Sequence, residues 1–217
     1  GKTAKRLTDS RTAAELASFS PDGRYVAFVR AYDLYVVDVD TARERRLTEG
    51  GSEILRNGKA DWVYFEEIYR RNWRAYKWSP DSTRLCYWQF DTEGVGTFYM
   101  IRNTGDVYST PIPLQYPKAG TTNSATRVGV VNIDSGKTVW VGLEGDPRQN
   151  YVPQMDWAAS SDELIIQYVN RLQNTNKVLL ANASDGSVRN IFTDTDEAWV
   201  DANTNVKWLE DGKYFTW

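Results

Sequence analysis

Apolar and polar positions along this chain alternate in short runs cut by turn residues, and one such unit recurs. FSPDGRYVAFV (19–29) is echoed by WSPDSTRLCYW (78–88), more weakly by WAASSDELIIQYV (157–169), and again by WLEDGKYFTW (208–217). Each is an aromatic residue, a polar turn with Pro, Gly or Asp, and an alternating apolar run, which predicts strand, turn, strand. A second unit follows the first three: VDTARERRLTEG (39–50), IDSGKTVWVGLEG (133–145) and ASDGSVRNIFTD (183–194), read as a third strand, a turn and a fourth. KRLTD (5–9) echoes RRLTE (45–49) 40 residues later, so it is expected to be the outer strand of one more unit. Four strands per repeat of about 40 to 45 residues is the pattern of a β-propeller blade.

The predicted fold is therefore all-β, a partial β-propeller of about three to four four-stranded blades with one helical insertion. Blades are expected at 12–50, 77–145 and 152–195, with the start of another from 205, all within one domain spanning 1–217. Closed propellers have about 4 to 8 blades, so this is an arc with cut sheet edges that is expected to continue on both sides. A start at Gly1 and a stop in mid-strand at KYFTW read the same way, as a fragment. A β-sandwich would share the alternation but gives no reason for motifs to recur.

The spacing from Phe19 to Trp78 is 59 residues, which exceeds one 40-residue period and places an insertion at 51–76. It contains DWVYFEEIYRRNWRAYKW, with Phe65, Ile68, Tyr69, Trp73 and Tyr76 at helical spacings. The prediction is a short helix, with Glu66 and Glu67 in its first turn, where the helix dipole favours anions. Two readings of this pair stay open. Arg70 and Arg71 follow four residues later, the spacing of solvated Glu–Arg pairs worth about 0.2–0.5 kcal/mol each. Alternatively, two adjacent carboxylates converge on one cation, either an ammonium with three N–H donors or a metal ion.

Composition narrows the chemistry. The chain has 217 residues, 41% hydrophobic and 13% aromatic, too rich in Trp and Tyr for a disordered segment and too polar for a membrane protein. No apolar run approaches the roughly 18 residues that a spanning helix needs. With 26 basic and 29 acidic residues the net charge is −3, which offers a phosphate backbone no general attraction, so nucleic acid is not an expected partner. There is no histidine. That excludes Ser-His-Asp and Cys-His nucleophiles and HExxH zinc sites within this chain, and GxSxG, GxxxxGK[ST] and GxGxxG are also absent. Cys86, the single cysteine, lies in the apolar run LCYW and is expected in the core.

DWVYFEE (61–67) resembles the DWVYEEE stretch of the dipeptidyl peptidase IV family of serine peptidases. The likeness continues through WSPDSTRLCYWQFD (78–91), YPKAG (116–120), VNRLQN (169–174) and AWVD (198–201), in the family's order and over nearly the whole chain. The resemblance implies part of an eight-bladed propeller that caps an α/β-hydrolase domain. It implies that Glu66 and Glu67 bind the free α-amino group of a peptide from which a dipeptide is released, with Pro or Ala second. It also accounts for the missing histidine, because the family's nucleophile, acid and histidine lie in a C-terminal domain that this chain lacks. Phe65 stands where the family often has a third acidic residue, and an upstream substrate-binding arginine has no counterpart here. The resemblance further implies an exported, bacterial protein whose parent dimerises through its hydrolase domain and a propeller arm.

Other candidates carry less. TDTDEAWVD (193–201) lacks the DxDxDG spacing of a calcium loop, and neither a metal nor a cofactor is expected. The aromatic residues at repeat positions, such as Trp78, Trp157 and Trp208, are read as packing between blades rather than a sugar platform. PIPLQYPKAGTTN (111–123), with three prolines, is expected to be a loop. From a different functional class, the alternative is a non-catalytic propeller scaffold that binds protein partners.

Overall fold

The computed structural model describes residues 4–209 and 212–217. Alternation becomes three antiparallel sheets and the start of a fourth. The first is a meander of Glu15–Phe19 (β1), Tyr25–Arg30 (β2), Asp33–Asp38 (β3) and Glu44–Arg46 (β4) in the order β1-β2-β3-β4. The second contains Leu55–Asn57 (β5), Tyr76–Trp78 (β6) and Arg84–Asp91 (β7). After a projecting hairpin of Thr97–Arg102 (β8) and Thr110–Gln115 (β9), it is completed by Ala125–Asn132 (β10) and Thr138–Trp140 (β11). The third is again a four-stranded meander: Asn150–Trp157 (β12), Glu163–Asn170 (β13), Thr175–Asn182 (β14) and Val188–Thr195 (β15). Lys207–Trp208 (β16) and Phe215–Thr216 (β17) pair as a short antiparallel ladder, and residues 210–211 of the fourth aromatic-led repeat lie outside the described residues.

Successive sheets are joined by the same bonds. Trp78 Nε1 donates to the Ser18 carbonyl at 3.1 Å, and one sheet later Trp157 Nε1 donates to the Lys77 carbonyl at 3.4 Å. In the turns, the Asp22 amide donates to Ser82 Oγ and the Asp81 amide to Ser161 Oγ, both at 3.1 Å. Between these joints lie the apolar cores. Val29, Leu34 and Val36 pack with Leu85, Tyr87 and Val131 between the first and second sheets. Cys86, Trp88, Phe90 and Val130 pack with Val152, Met155, Leu164 and Ile166 between the second and third. A fully buried aliphatic or aromatic side chain contributes about 1.5–3 kcal/mol, so these layers dominate the fold. Trp157 is buried, as its repeat position requires, but the equivalent Phe19 is 64% exposed because no preceding sheet lies against it among the described residues.

Three further expectations need correction. Residues 5–9 form no strand: with no neighbouring edge to pair with, Leu7 instead rests on the patch of Val26, Phe28 and Val37, and Lys5 Nζ donates to the Val39 and Asp40 carbonyls. The expected loop at 111–123 begins with a strand, β9, that pairs from Thr110↔Arg102 to Gln115↔Thr97. Pro111 and Pro113 share one parity along β9, so both can turn their missing N–H away from β8, and an edge strand tolerates them. Phe98, Tyr99, Met100 and Ile101 of β8 are exposed on this arm.

The third correction concerns the insertion. β5 pairs with Gln89, Phe90 and Asp91, and β6 with Leu85, Cys86 and Tyr87, so both lie on the same edge of β7 as the two halves of one leading strand. β1 and β12, the leading strands of the other sheets, carry only bulges in mid-length. The chain leaves the sheet after Asn57 and returns at Tyr76 through a paired stem: the Ala75 amide donates to the Gly58 carbonyl at 3.0 Å, Lys59 bridges Arg74, and the Ala60 amide donates to the Trp73 carbonyl at 2.9 Å. Gly58 has φ +71, and a Cβ there would lie 2.6 Å from Leu34 Cδ2, so only glycine fits the exit.

Candidate functional site

Within this stem the helix predicted for the insertion is a single π-helical turn, Tyr64–Ile68. Asp61 starts it. Its carboxylate is buried and accepts from the Tyr64 amide at 2.8 Å and from Ser124 Oγ at 2.5 Å. Burial pushes the Asp61 carboxyl above its ordinary value, although the Ser124 hydroxyl and Tyr64 amide oppose the shift. The Phe65 amide donates to the Asp61 carbonyl at 3.0 Å, but the next bond, from Tyr69 N to Tyr64 O at 2.7 Å, spans five residues instead of four. Arg70 and Arg71 then take positive φ, +51° and +68°, and end the turn.

Side-chain anchoring explains why the helix does not propagate. The Tyr64 ring is buried against Phe90, and its hydroxyl accepts from the Val152 amide of β12 at 2.8 Å. Burial raises the phenol well above its ordinary value, so it stays protonated. Phe65 stacks flat on Trp73, 3.7 Å between centroids and 8° between planes. Phe65, Ile68, Tyr69 and Trp73 rest on the core between the second and third sheets, whereas Tyr76, expected on the same face, belongs to β6 and the other core. In this wider turn both neighbouring anchors, Tyr64 and Phe65, reach their partners. Such turns recur at functional sites.

The turn separates the roles of the two glutamates. The predicted Glu–Arg spacing of four is not used. Instead Arg71 Nε and Nη2 both reach Glu66 Oε1 at 3.0 Å, a spacing of five set by the extra residue in the turn. Glu66 Oε2 has no partner among the described residues. Glu67 is exposed and makes no hydrogen bond or ion pair among them. It faces two concavities, one of about 560 Å³ with Arg70, Tyr151, Gln173 and Asp201, the other of about 500 Å³ with Trp62, Tyr116, Lys118 and Arg171. Among the described residues no group of three or more His, Cys, Asp or Glu side chains is placed to hold a metal ion.

The walls of these concavities come from segments far apart in the chain. Trp62 meets Tyr116 of YPKAG edge-on at 4.7 Å. Arg171 of VNRLQN donates to the Thr121 carbonyl, and the Val200 amide of AWVD donates to the Gln173 carbonyl at 2.8 Å. The stretch 193–201, which fails as a calcium loop but ends in the AWVD of the family likeness, supplies Val200 and Asp201 to the wall facing Glu67. Its position had no signal in charge spacing, since the contact is made through backbone.

The Dipeptidyl peptidase IV (DPP IV) N-terminal region model matches residues 2–217. The chain belongs to that family. Its fold is that of the Porphyromonas gingivalis dipeptidyl peptidase 4 crystal structure, with a TM-score of 0.86 at 29% identity, covering 95% of this chain and 29% of that one. Dipeptidyl aminopeptidase B of Saccharomyces cerevisiae is 26% identical over 202 residues, 85% of this chain and 25% of that protein. Inactive dipeptidyl peptidase 10 of Mus musculus is 27% identical over 206 residues, 93% of this chain and 26% of that protein. The chain thus spans about a quarter of the length of these two relatives. It is a DPP IV N-terminal region with an all-β, propeller-type fold. Because a relative named inactive matches as well as one named an aminopeptidase, likeness in this region does not set peptidase activity.

Proposed function

We propose that this chain is the substrate-gating, N-terminus-anchoring propeller portion of a dipeptidyl peptidase IV-like serine peptidase that releases N-terminal dipeptides with Pro or Ala second. Glu66 and Glu67 hold the α-ammonium of the substrate, and the nucleophile, acid and histidine belong to a hydrolase domain outside this chain. The observation that carries the reading is the convergence of four separated motifs, DWVYFEE, YPKAG, VNRLQN and AWVD, around the Glu67 carboxylate, which has no partner among the described residues.

The chemistry follows from donors and charge. An α-amino group titrates near 7.7–8.0, so at neutral pH it is mostly an ammonium with three donors. Glu67 offers two open oxygens and Glu66 one. Arg71 already pairs with Glu66, so the open oxygens of Glu67 are the acceptors left for an ammonium's donors. Charge-assisted bonds of this kind are about twice as strong as neutral ones. Anchoring the first residue at a fixed distance from the nucleophile would measure off two residues. The same family likeness supports an exported parent, and the exposed arm of β8 and β9 supports a homodimeric one. No helix of the described residues is long and apolar enough to cross a membrane.

The test is kcat/KM of the full-length protein on free-amine and N-acetylated dipeptide substrates. Glu66→Ala and Glu67→Ala each lower kcat/KM on the free amine by about 30-fold to several thousand-fold, the cost of truncating one partner of a buried charge pair in the complex, and acetylation abolishes cleavage. Mutants within about threefold of wild type refute the anchor. The inactive relative favours a second reading, a scaffold that binds protein partners. It holds if the wild type turns over no peptide and the flanking sequence lacks a GWSYGG-like elbow followed by Asp and His.

A further inference from the structure

We infer that Arg71 is a positioning residue for the ammonium anchor: it holds Glu66 by one oxygen so that the other faces the substrate amine. The inference rests on the anchor reading above. Both Arg71 donors converge on Oε1, each at 3.0 Å, and leave Oε2 open. A free Glu carboxyl turns almost freely about its terminal bond, and two donors on one oxygen arrest that rotation. The amine then meets an oriented acceptor, and less freedom is lost on binding.

The backbone enforces this arrangement. The Arg71 amide donates to the Phe65 carbonyl at 2.7 Å, which ties Arg71 to the turn that carries Glu66, and the left-handed φ of +51° at Arg70 and +68° at Arg71 sends the side chain back over it. Four-residue spacing would pair Arg71 with Glu67. The π turn pairs it with Glu66 and leaves Glu67 open. Arg71 is 77% exposed, and solvent-screened pairs are weak, so the expected effect is modest.

A double-mutant cycle in the full-length protein tests the role, with KM and kcat measured on a Gly-Pro chromogenic substrate for Arg71→Ala, Arg71→Lys, Glu66→Gln and the Glu66→Gln/Arg71→Ala double variant. Arg71→Ala raises KM about two- to fivefold with kcat little changed, and Arg71→Lys, which keeps the charge but not the fork, recovers part of the loss. In the Glu66→Gln background, Arg71→Ala changes KM no further. An unchanged KM, a lowered KM, or the same change in both backgrounds overturns the proposal. If thermal melting shows that Arg71→Ala does not fold, the cycle is run with Arg71→Lys and judged by the same criteria. Should Glu66→Gln and Glu67→Gln both retain wild-type kcat/KM, the anchor itself falls. If they lose it while Arg71 shows no coupling to Glu66, only the positioning role falls.

Discussion

At the joints between sheets the same bonds recur, from Trp78 to Ser18, from Trp157 to Lys77, and from Asp22 and Asp81 to Ser82 and Ser161. Every bond that holds the Glu-bearing turn is made once: Asp61 to Ser124, Tyr64 to Val152, Phe65 on Trp73. Repetition spreads stability over equivalent contacts, so any one joint bond is a small part of the whole. The turn has no second copy of its anchors, and its carboxylates are placed by a few buried groups. Stability is thus distributed in one region and positioning concentrated in the other.

The largest effect expected from that contrast is at Tyr64. Tyr64→Phe leaves the buried Val152 amide without its acceptor, which costs about 1–3 kcal/mol, and amide exchange at Val152 should accelerate accordingly. Unchanged protection at Val152 would show that the turn does not depend on this bond. Asp61 offers a pH test. Its folded value lies above the ordinary carboxyl value near 3.9, so the neutral form is the one the fold favours. Its contribution is fully present below that ordinary value and is lost as pH rises through the raised one. Asp61→Asn should remove this falling limb from a plot of Tm against pH, and parallel curves for mutant and wild type would contradict the assignment. The smallest effects belong to the joints: Ser82→Ala and Ser161→Ala should each cost about 0.5–1.5 kcal/mol, add when combined, and leave turnover alone. Thermal melting and kcat/KM of the single and double mutants check this, and a joint mutant that alters KM would erase the distinction between the two regions.

The candidate site is legible in the sequence only unevenly. Glu66 and Glu67 stood out as adjacent carboxylates in a segment that broke the repeat, and their neighbours in DWVYFEE carried the family likeness. Asp61, equally present in that motif, gave no sign of its capping role, because a cap depends on which amide the carboxylate meets. Tyr64 falls outside the helical spacing of Phe65, Ile68, Tyr69, Trp73 and Tyr76, and nothing local marks it, since its partner, Val152, is 88 residues away. Arg71 was paired with the wrong glutamate. The four-residue rule assumes an α-helix, and the π turn shifts each partner by one. The prolines of β9 signalled a loop because propensity sees only the lost N–H and not the free edge that makes it harmless.

The sequence already carries the architecture, because each blade's strands follow one another and pair with near neighbours, so the alternation and the 40-residue recurrence are local and repeat. It also determined, through the absence of histidine, that no imidazole-based hydrolysis occurs within this chain. The tertiary structure alone decided that the leading strand of the second sheet is split into β5 and β6, that the inserted helix is one π turn, and that Glu66 is engaged while Glu67 is open. Those outcomes depend on where Tyr64, Phe65 and Asp61 find their buried partners, in β12, in the return leg of the stem and beside Ser124. Such contacts join residues whose distance along the chain carries no pattern, and only packing brings them together.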